Sequence, residues 1–445
     1  MRAHPQILKT LFFTEMWERF SFYGMRALLV LYLVNGLHYD PNQALQIYAT
    51  YTALVYITPI LGGYLADKYI NSINAIVLGG LLMMIGHFLL AFELLFYFGL
   101  AFLVFGNGFF KPNISSLLSA VYKNKPESLR DEGFSFFYIG INLGAFFAPL
   151  IIGFVGEYYN WHAGFLLAAV GMLFGLITFF LKISNSKEIA NDFNHQLICK
   201  WLLSLCSFLT VIVLSPWWLT LFVCLIGCFL LSYNSQSYQI SAQDKKSIYY
   251  ILYLGIFSII FWMGFEQAGG SLTLFTDTKV NKNIFSFTIP TTFFLAINPL
   301  LIITLGMIVA RFWTNLEKNY VISTPHKMSC GLFLLGLGFL VLAILQNHEQ
   351  IHFTWVILIY FLHTLGELCL SPTSLSKVSN VAPDRLRSFM LGVWFITFAI
   401  ASYLAGILPI ITQVLNVNLF SFLTLISIGG CIALLFFNKF INKLI

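Results

Sequence analysis

Seven ionisable side chains stand inside stretches too apolar to hold them without partners: Glu15, Glu18, Glu266 and Glu367, against Arg19, Arg26 and Lys111. A charge at the centre of a bilayer costs about 3 kcal/mol or more, depending on the scale. Four carboxylates set against three cations nearly cancel, which suits pairs around a wet cavity better than charges facing lipid. The stretch FTEMWERFSFYGMRALLVLYL, residues 13–33, concentrates them. Within it Glu15, Glu18, Arg19, Phe22, Tyr23 and Arg26 recur at three- and four-residue steps and so share one helix face. Glu15 and Arg19 are spaced to pair at i,i+4. Arg26 has no acid within reach on its own helix, so it requires an acid elsewhere or an anionic ligand. A carboxylate poised between a cation and an apolar surround gains or loses its proton with small changes in solvation, which is chemistry that proton coupling can use.

The elements that must position these groups follow from composition. Of 445 residues, 59% are hydrophobic and 9% are charged. Soluble domains carry about 25% charged residues, so no soluble fold could solvate this surface. Continuous apolar runs near the length needed to span hydrocarbon recur throughout, and they do not alternate as barrel strands would. An all-α integral membrane protein is predicted, with fourteen segments. Six lie near 12–36, 42–66, 73–94, 96–121, 133–156 and 162–182. Two, near 197–214 and 217–233, form a hairpin broken by SPWW. Six more lie near 248–271, 287–311, 326–346, 353–379, 385–408 and 413–438. The organisation expected is a six-helix bundle over 1–185, a linker with the two-helix insert over 186–246, and a second six-helix bundle over 247–445. Gly62-Gly63, Pro112, Pro149, Pro299 and Pro372 fall within or at the ends of segments, as suits bent, closely packed helices.

Loop cations from Lys9 to Lys443 fall on one side of this alternation, and only Lys279 and Lys282 on the other. The cation-rich side is expected to be cytoplasmic, with both termini inside. The net charge of +6 reflects this loop asymmetry and is not a nucleic-acid signal. The seven cysteines lie in or beside apolar segments without a CxxC pair, so buried thiols are expected, with no disulfide or zinc site. The first apolar run holds acids and lacks a small-residue cleavage site, unlike a signal peptide. His363 is four residues before Glu367, but a third metal ligand is not apparent. An intramembrane enzyme using the pair would also need a nucleophile, and neither GxSxG nor HExxH occurs.

Several motifs, in order, resemble those of the proton-dependent oligopeptide transporters, a branch of the major facilitator superfamily. EMWERFSFYG at 15–24 is similar to that family's ExxERFxYYG signature. LGGYLADKY at 61–69 is similar to the superfamily's loop motif between helices 2 and 3. FFKPNISSL at 109–117, FSFFYIGINLGAFFAP at 134–149, FEQAGGSLTLF at 265–275, INPL at 297–300 and GELCLSPTSLSKVSNVAPDRLRSFMLGVWF at 366–395 also match. The resemblance covers nearly the whole chain. It implies two six-helix bundles plus the insert, and a symporter importing di- and tripeptides with protons by alternating access, the two bundles rocking about a central site. It assigns proton coupling to Glu15, Glu18, Arg19 and Glu266. Peptide binding falls to Tyr23, Arg26, Tyr56, Lys111, Asn142, Trp262, Asn298, Glu367 and Trp394. Arg26–Glu266 and Lys111–Glu367 are the implied gate pairs. No cofactor beyond the coupling proton is expected. The implied partners are small peptides and the lipid bilayer of a plasma (inner) membrane, and a monomer is allowed. Phe22 stands where the signature has its first Tyr, which keeps the ring and loses the phenol. Amino acids, peptide-like drugs or other organic anions are the alternative cargo, and a non-transporting peptide sensor is the alternative role.

Overall fold

The computed structural model describes residues 4–183, 194–214, 241–383 and 387–441. The first half holds helices α1 (Ile7–Leu31), α2 (Pro41–Leu65), α3 (Ser72–Leu89), α4 (Phe96–Val121), α5 (Glu127–Tyr158) and α6 (Trp161–Ile183). Helix α7 (His195–Leu214) is the first arm of the expected insert; the second arm, near 217–233, lies outside the described residues. The second half holds α8 (Ala242–Phe265), α9 (Ser271–Lys279), α10 (Ile297–Glu317), α11 (Thr324–Leu345), α12 (Phe353–Val381), α13 (Arg387–Val414) and α14 (Leu419–Ile441). Eleven helical stretches among the described residues are long and apolar enough to cross a membrane. At about 1.5 Å per residue, helix α1 is also long enough, and it is the one that carries the charged face.

Local signals set several ends. Asp40 caps α2 by accepting the Asn42 amide, and Pro41 occupies the first turn, where its missing N–H costs nothing. Asn71, at φ 68°, turns the chain into α3 and caps it through the Asn74 amide. Ser241 and Asp244 form a reciprocal capping box at the start of α8.

Two predicted segments differ in extent. The run expected at 248–271 breaks after Phe265 into a 3₁₀ turn, Glu266–Gly269, and resumes as α9. The run expected from 287 starts instead with a small hairpin, β2 (Asn283–Ile284) against β3 (Phe287–Thr288), after β1 (Val280–Asn281) has paired with β4 (Ile351–His352). Pro290 disfavours helical geometry in the residue before it, so helix begins only with the 3₁₀ turn Thr291–Ala296.

Close approach rests on glycines. A Cβ on Gly62 would stand 2.0 Å from the Gly108 carbonyl oxygen, where α2 meets α4; one on Gly331 would stand 2.7 Å from that of Gly366, where α11 meets α12. Without a hydrophobic force between helices in lipid, such contacts supply the packing. Two apolar cores result, one spanning Leu8 to Leu205 and one spanning Tyr250 to Leu434.

Hydrogen bonds between the halves gather at the end opposite the described termini. Asn35 Nδ2 donates to Asp277 Oδ2 at 3.0 Å, Asn42 Nδ2 to Gln413 Oε1 at 2.9 Å, and the Tyr158 hydroxyl to the Thr288 carbonyl. That end is shut.

Gly62→Leu is expected to lower the thermal midpoint of the purified protein through overpacking of about 1–3 kcal/mol. Gly392→Ala, with open space around it, should leave the midpoint nearly unchanged in the same assay.

Candidate functional site

A cavity of about 280 Å³ lies between the halves. Of the residues singled out in the sequence, Tyr23, Arg26, Tyr56, Asn142, Trp262, Glu266, Asn298 and Glu367 line it. Arg26 reaches across from α1 to Glu266 on the 3₁₀ turn, its Nη2 donating to Oε2. The side chains are 15% and 5% exposed, so this ion pair is nearly dry.

The pair depends on a neighbour absent from the sequence reading. Arg26 Nε donates to the Tyr48 hydroxyl at 2.6 Å. That hydroxyl has room only because residue 269 is glycine; a Cβ there would stand 1.8 Å from it. Tyr48 lies about two turns before Tyr56 on α2, a spacing that signals one shared face.

At the other pole Glu367 Oε2 accepts from Asn298 Nδ2 at 2.8 Å. Asn298 also donates to Thr364 Oγ1 at 3.1 Å, and Thr364 in turn donates to the Tyr360 carbonyl. The carboxylate is thereby held by a neutral amide rather than by a fixed cation. An aromatic wall closes one flank, with Trp262 and Phe398 at a centroid separation of 4.6 Å and Tyr56 against Phe398 at 5.7 Å. Asn142 donates to the Tyr138 carbonyl at 3.0 Å, which ties its amide to α5.

Below the cavity, Arg19 sits against two acids on its own helix. Its Nε is 3.0 Å from Glu15 Oε1 and also contacts Glu18 Oε2. All three side chains are buried. Two carboxylates against one guanidinium leave a net negative charge, and Lys111 interacts electrostatically with both acids.

Lys111 and Glu367 form no ion pair among the described residues; they are apart, as the gate reading has it while the Arg26–Glu266 pair is closed. With the halves joined at the opposite end, Lys111 keeps to its own half, its Nζ 4.9 Å from the centre of the Tyr56 ring. Three other expectations require correction. Lys111 is not among the cavity-lining residues. Trp394 is buried in the second core, and Phe398, one turn further along α13, provides the cavity wall. The expectation of buried thiols also fails at Cys199, which is exposed near the start of α7.

His363 lines the cavity beside Tyr360, with its ring against Phe339 at 4.7 Å, and its Nε2 has no hydrogen-bond partner among the described residues. Among the described residues, no group of three His, Cys, Asp or Glu side chains could hold a metal ion.

Two helical halves enclosing a charged, aromatic-walled cavity that is shut at one end define a membrane transporter of the major facilitator type. The POT family model matches residues 73–422. A transporter of Bacillus subtilis (strain 168), YclF, is 36% identical, with 97% of this chain and 94% of that protein aligned. A di-/tripeptide transporter of Lactococcus lactis subsp. cremoris is 34% identical, over 99% and 97% of the two chains. Among solved structures, a POT peptide transporter mutant in complex with alafosfalin superposes with a TM-score of 0.85 at 32% identity, covering 100% of this chain and 96% of the other. The chain belongs to the POT family.

Gly269→Ala and Tyr48→Phe are each expected to lower the thermal midpoint, by the equivalent of about 1–2 kcal/mol for one hydrogen bond to a buried cation. Because both act on the same contact, the double variant should fall short of the sum of the two.

Proposed function

We propose that this chain is a proton-coupled symporter that imports di- and tripeptides across a plasma (inner) membrane. Both termini are cytoplasmic, as the positive-inside distribution of loop cations supports. The observation that carries the reading is the polarity of the cavity, with a guanidinium toward one pole and a carboxylate toward the other. A short peptide is a zwitterion with a variable middle. Its ammonium complements Glu367, which has no cationic partner among the described residues, and its carboxylate complements Arg26, whose planar fork suits bidentate contact. The aromatic wall of Trp262, Phe398 and Tyr56 accepts side chains by area rather than by specific hydrogen bonds. The Lactococcus relative, a di-/tripeptide transporter, supports this cargo.

Coupling follows from competition at Arg26. Glu266 and a substrate carboxylate want the same guanidinium. A proton on Glu266 removes its claim, so proton and peptide load together, and the halves lose the bond that joins them at that level. Glu15, Glu18 and Arg19 form a second proton-responsive cluster, because a proton on either acid would cancel the surplus negative charge that Lys111 balances. In this orientation the shut end is external, and the cavity serves the cytoplasmic side. An inside-negative potential drives the proton inward with about 2.3 kcal/mol per 100 mV.

A related solved structure, 30% identical, is of a POT family transporter in complex with 5-aminolevulinic acid. That favours small zwitterions with a spaced amine and carboxylate as a second cargo class.

Purified protein in liposomes should accumulate dialanine under an inward proton gradient and lose that accumulation when the gradient is collapsed. Glu266→Gln should cut gradient-driven uptake at least about tenfold, the equivalent of one charge-assisted hydrogen bond. Full gradient-driven uptake by that variant would refute the coupling role of Glu266. Competition of unlabelled 5-aminolevulinic acid against labelled dialanine would measure the second cargo class.

A further inference from the structure

Glu266 is not the only acid that joins the two halves. Glu157 lies in the last turn of α5, and its side chain crosses to the other half. Oε2 accepts from the Thr291 amide at 2.8 Å. Oε1 accepts from the Thr292 amide at 2.8 Å and from the Thr292 hydroxyl at 2.6 Å. Thr291 and Thr292 open the 3₁₀ turn that leads into α10. The first amides of a helix have no partner within it, and that end carries partial positive charge. The residue in the usual capping position is Pro290, which makes no side-chain cap. Glu157 therefore caps α10 from a different part of the chain, 134 residues away.

The surroundings are built for this contact. Gly153, one turn before Glu157 on the same face of α5, admits the threonine: a Cβ there would stand 2.1 Å from Thr292 Oγ1. Tyr158 donates to the Thr288 carbonyl, and its ring stacks on Phe287 at 6.0 Å with an interplanar angle of 6°. The nearby charges are Lys282 and Asp277. They are paired with each other at 2.8 Å, and both bond the Thr291 hydroxyl at 2.7 Å. With Lys282 neutralised by Asp277, the charge of Glu157 is met chiefly by the helix end it caps.

We propose that Glu157 is a second latch, separate from the Arg26–Glu266 pair. It holds the end opposite the termini shut by capping α10 across the interface, and it must release both amides each time that end opens. The proposal rests on the symporter reading above, in which the two halves rock about the central cavity and expose it to each side in turn, by alternating access. Once released, carboxylate and amides are rewetted, so the latch sets the balance between closed and open rather than locking the molecule.

The test is a distance measurement by pulsed electron paramagnetic resonance on the full chain in liposomes. Native cysteines are replaced and spin labels placed at Leu94 and Glu349, exposed sites at that end in opposite halves. Glu157→Ala is expected to raise the ratio of open to closed distances about tenfold, since it deletes a charge-assisted contact to three donors. Glu157→Gln should raise it about threefold, because an amide oxygen still accepts but carries no charge. Thr292→Val, which loses one hydroxyl bond, should have the smallest effect. That ranking separates a latch from mere packing, because Gln matches Glu in size. An unchanged distribution in Glu157→Ala would overturn the latch; should that variant not fold, an unchanged distribution in Glu157→Gln would do so. Arg26→Met in the same background shows which reading has failed. If it opens the end and Glu157→Ala does not, only the latch falls. If neither variant ever opens it, alternating access falls as well.

Discussion

A guanidinium buried in a hydrocarbon slab cannot be left unpaired, and Arg26 imposes that condition on the rest of the molecule. Its own helix offers it no acid, so the second half must supply one. Glu266 does so from a 3₁₀ turn, where the break in α8 lets the carboxylate face inward. The Gly269-Gly270 pair after it both permits that break and leaves space for Tyr48 to hold the guanidinium from a third helix. One charge thus explains a helix interruption, a required glycine, a tyrosine and the contact between halves. Breaking such a pair by removing one partner costs about 3–5 kcal/mol, which is why the contact persists until another ligand or a proton takes over.

The remaining buried charges obey the same rule with different consequences. Glu15, Glu18 and Arg19 pair within a single helix and meet Lys111 of the same half, so they do not constrain the two halves. Glu367 is the exception. Its bond to Asn298 is to a neutral donor. A carboxylate solvated by one amide at the edge of a cavity keeps capacity for a cationic group from outside the protein. The asymmetry between a satisfied cation at one pole and a partly satisfied anion at the other makes the cavity receptive to a zwitterion.

Much of this was legible in the sequence, and the parts that were not share a cause. The helices could be read because hydrocarbon thickness dictates their length, and the charged face of α1 because three- and four-residue steps dictate direction. That Arg26 lacked a partner on its own helix was visible from spacing alone. The Gly269–Tyr48 contact was not, because it depends on how closely two helices approach, and no local pattern encodes that distance. Trp394 and Phe398 are both aromatic and one turn apart, so which one reaches the cavity depends on where neighbouring helices diverge. Lys111 is parted from Glu367 with the halves joined at the far end, and that it then rests on Tyr56 depends on the same approach of helices. Glu157 falls just past the apolar run that ends at Gly156, and no local pattern marks it, because the amides it caps lie in the other half.

The shut end is built from contacts of a particular kind. Its bonds join side chains to one another, to carbonyls and to the first amides of a helix, all at helix ends where interfacial water is near. Apolar packing would close that end as well, but its loss would expose surface that water does not restore, and the open state would be far higher in energy. Polar groups at the rim behave differently. Each bond given up on opening is replaced by a bond to water, so the net difference per contact is about 0.5–1.5 kcal/mol, or somewhat more where a charge is involved. A handful of such contacts holds the end shut firmly enough to isolate the cavity, yet within reach of the free energy that one proton and one ligand can supply. Deeper in the membrane no water waits to replace a lost partner. There the closing contact must be an ion pair whose members find substitutes in the cargo and the coupling ion, and Arg26 with Glu266 is such a pair.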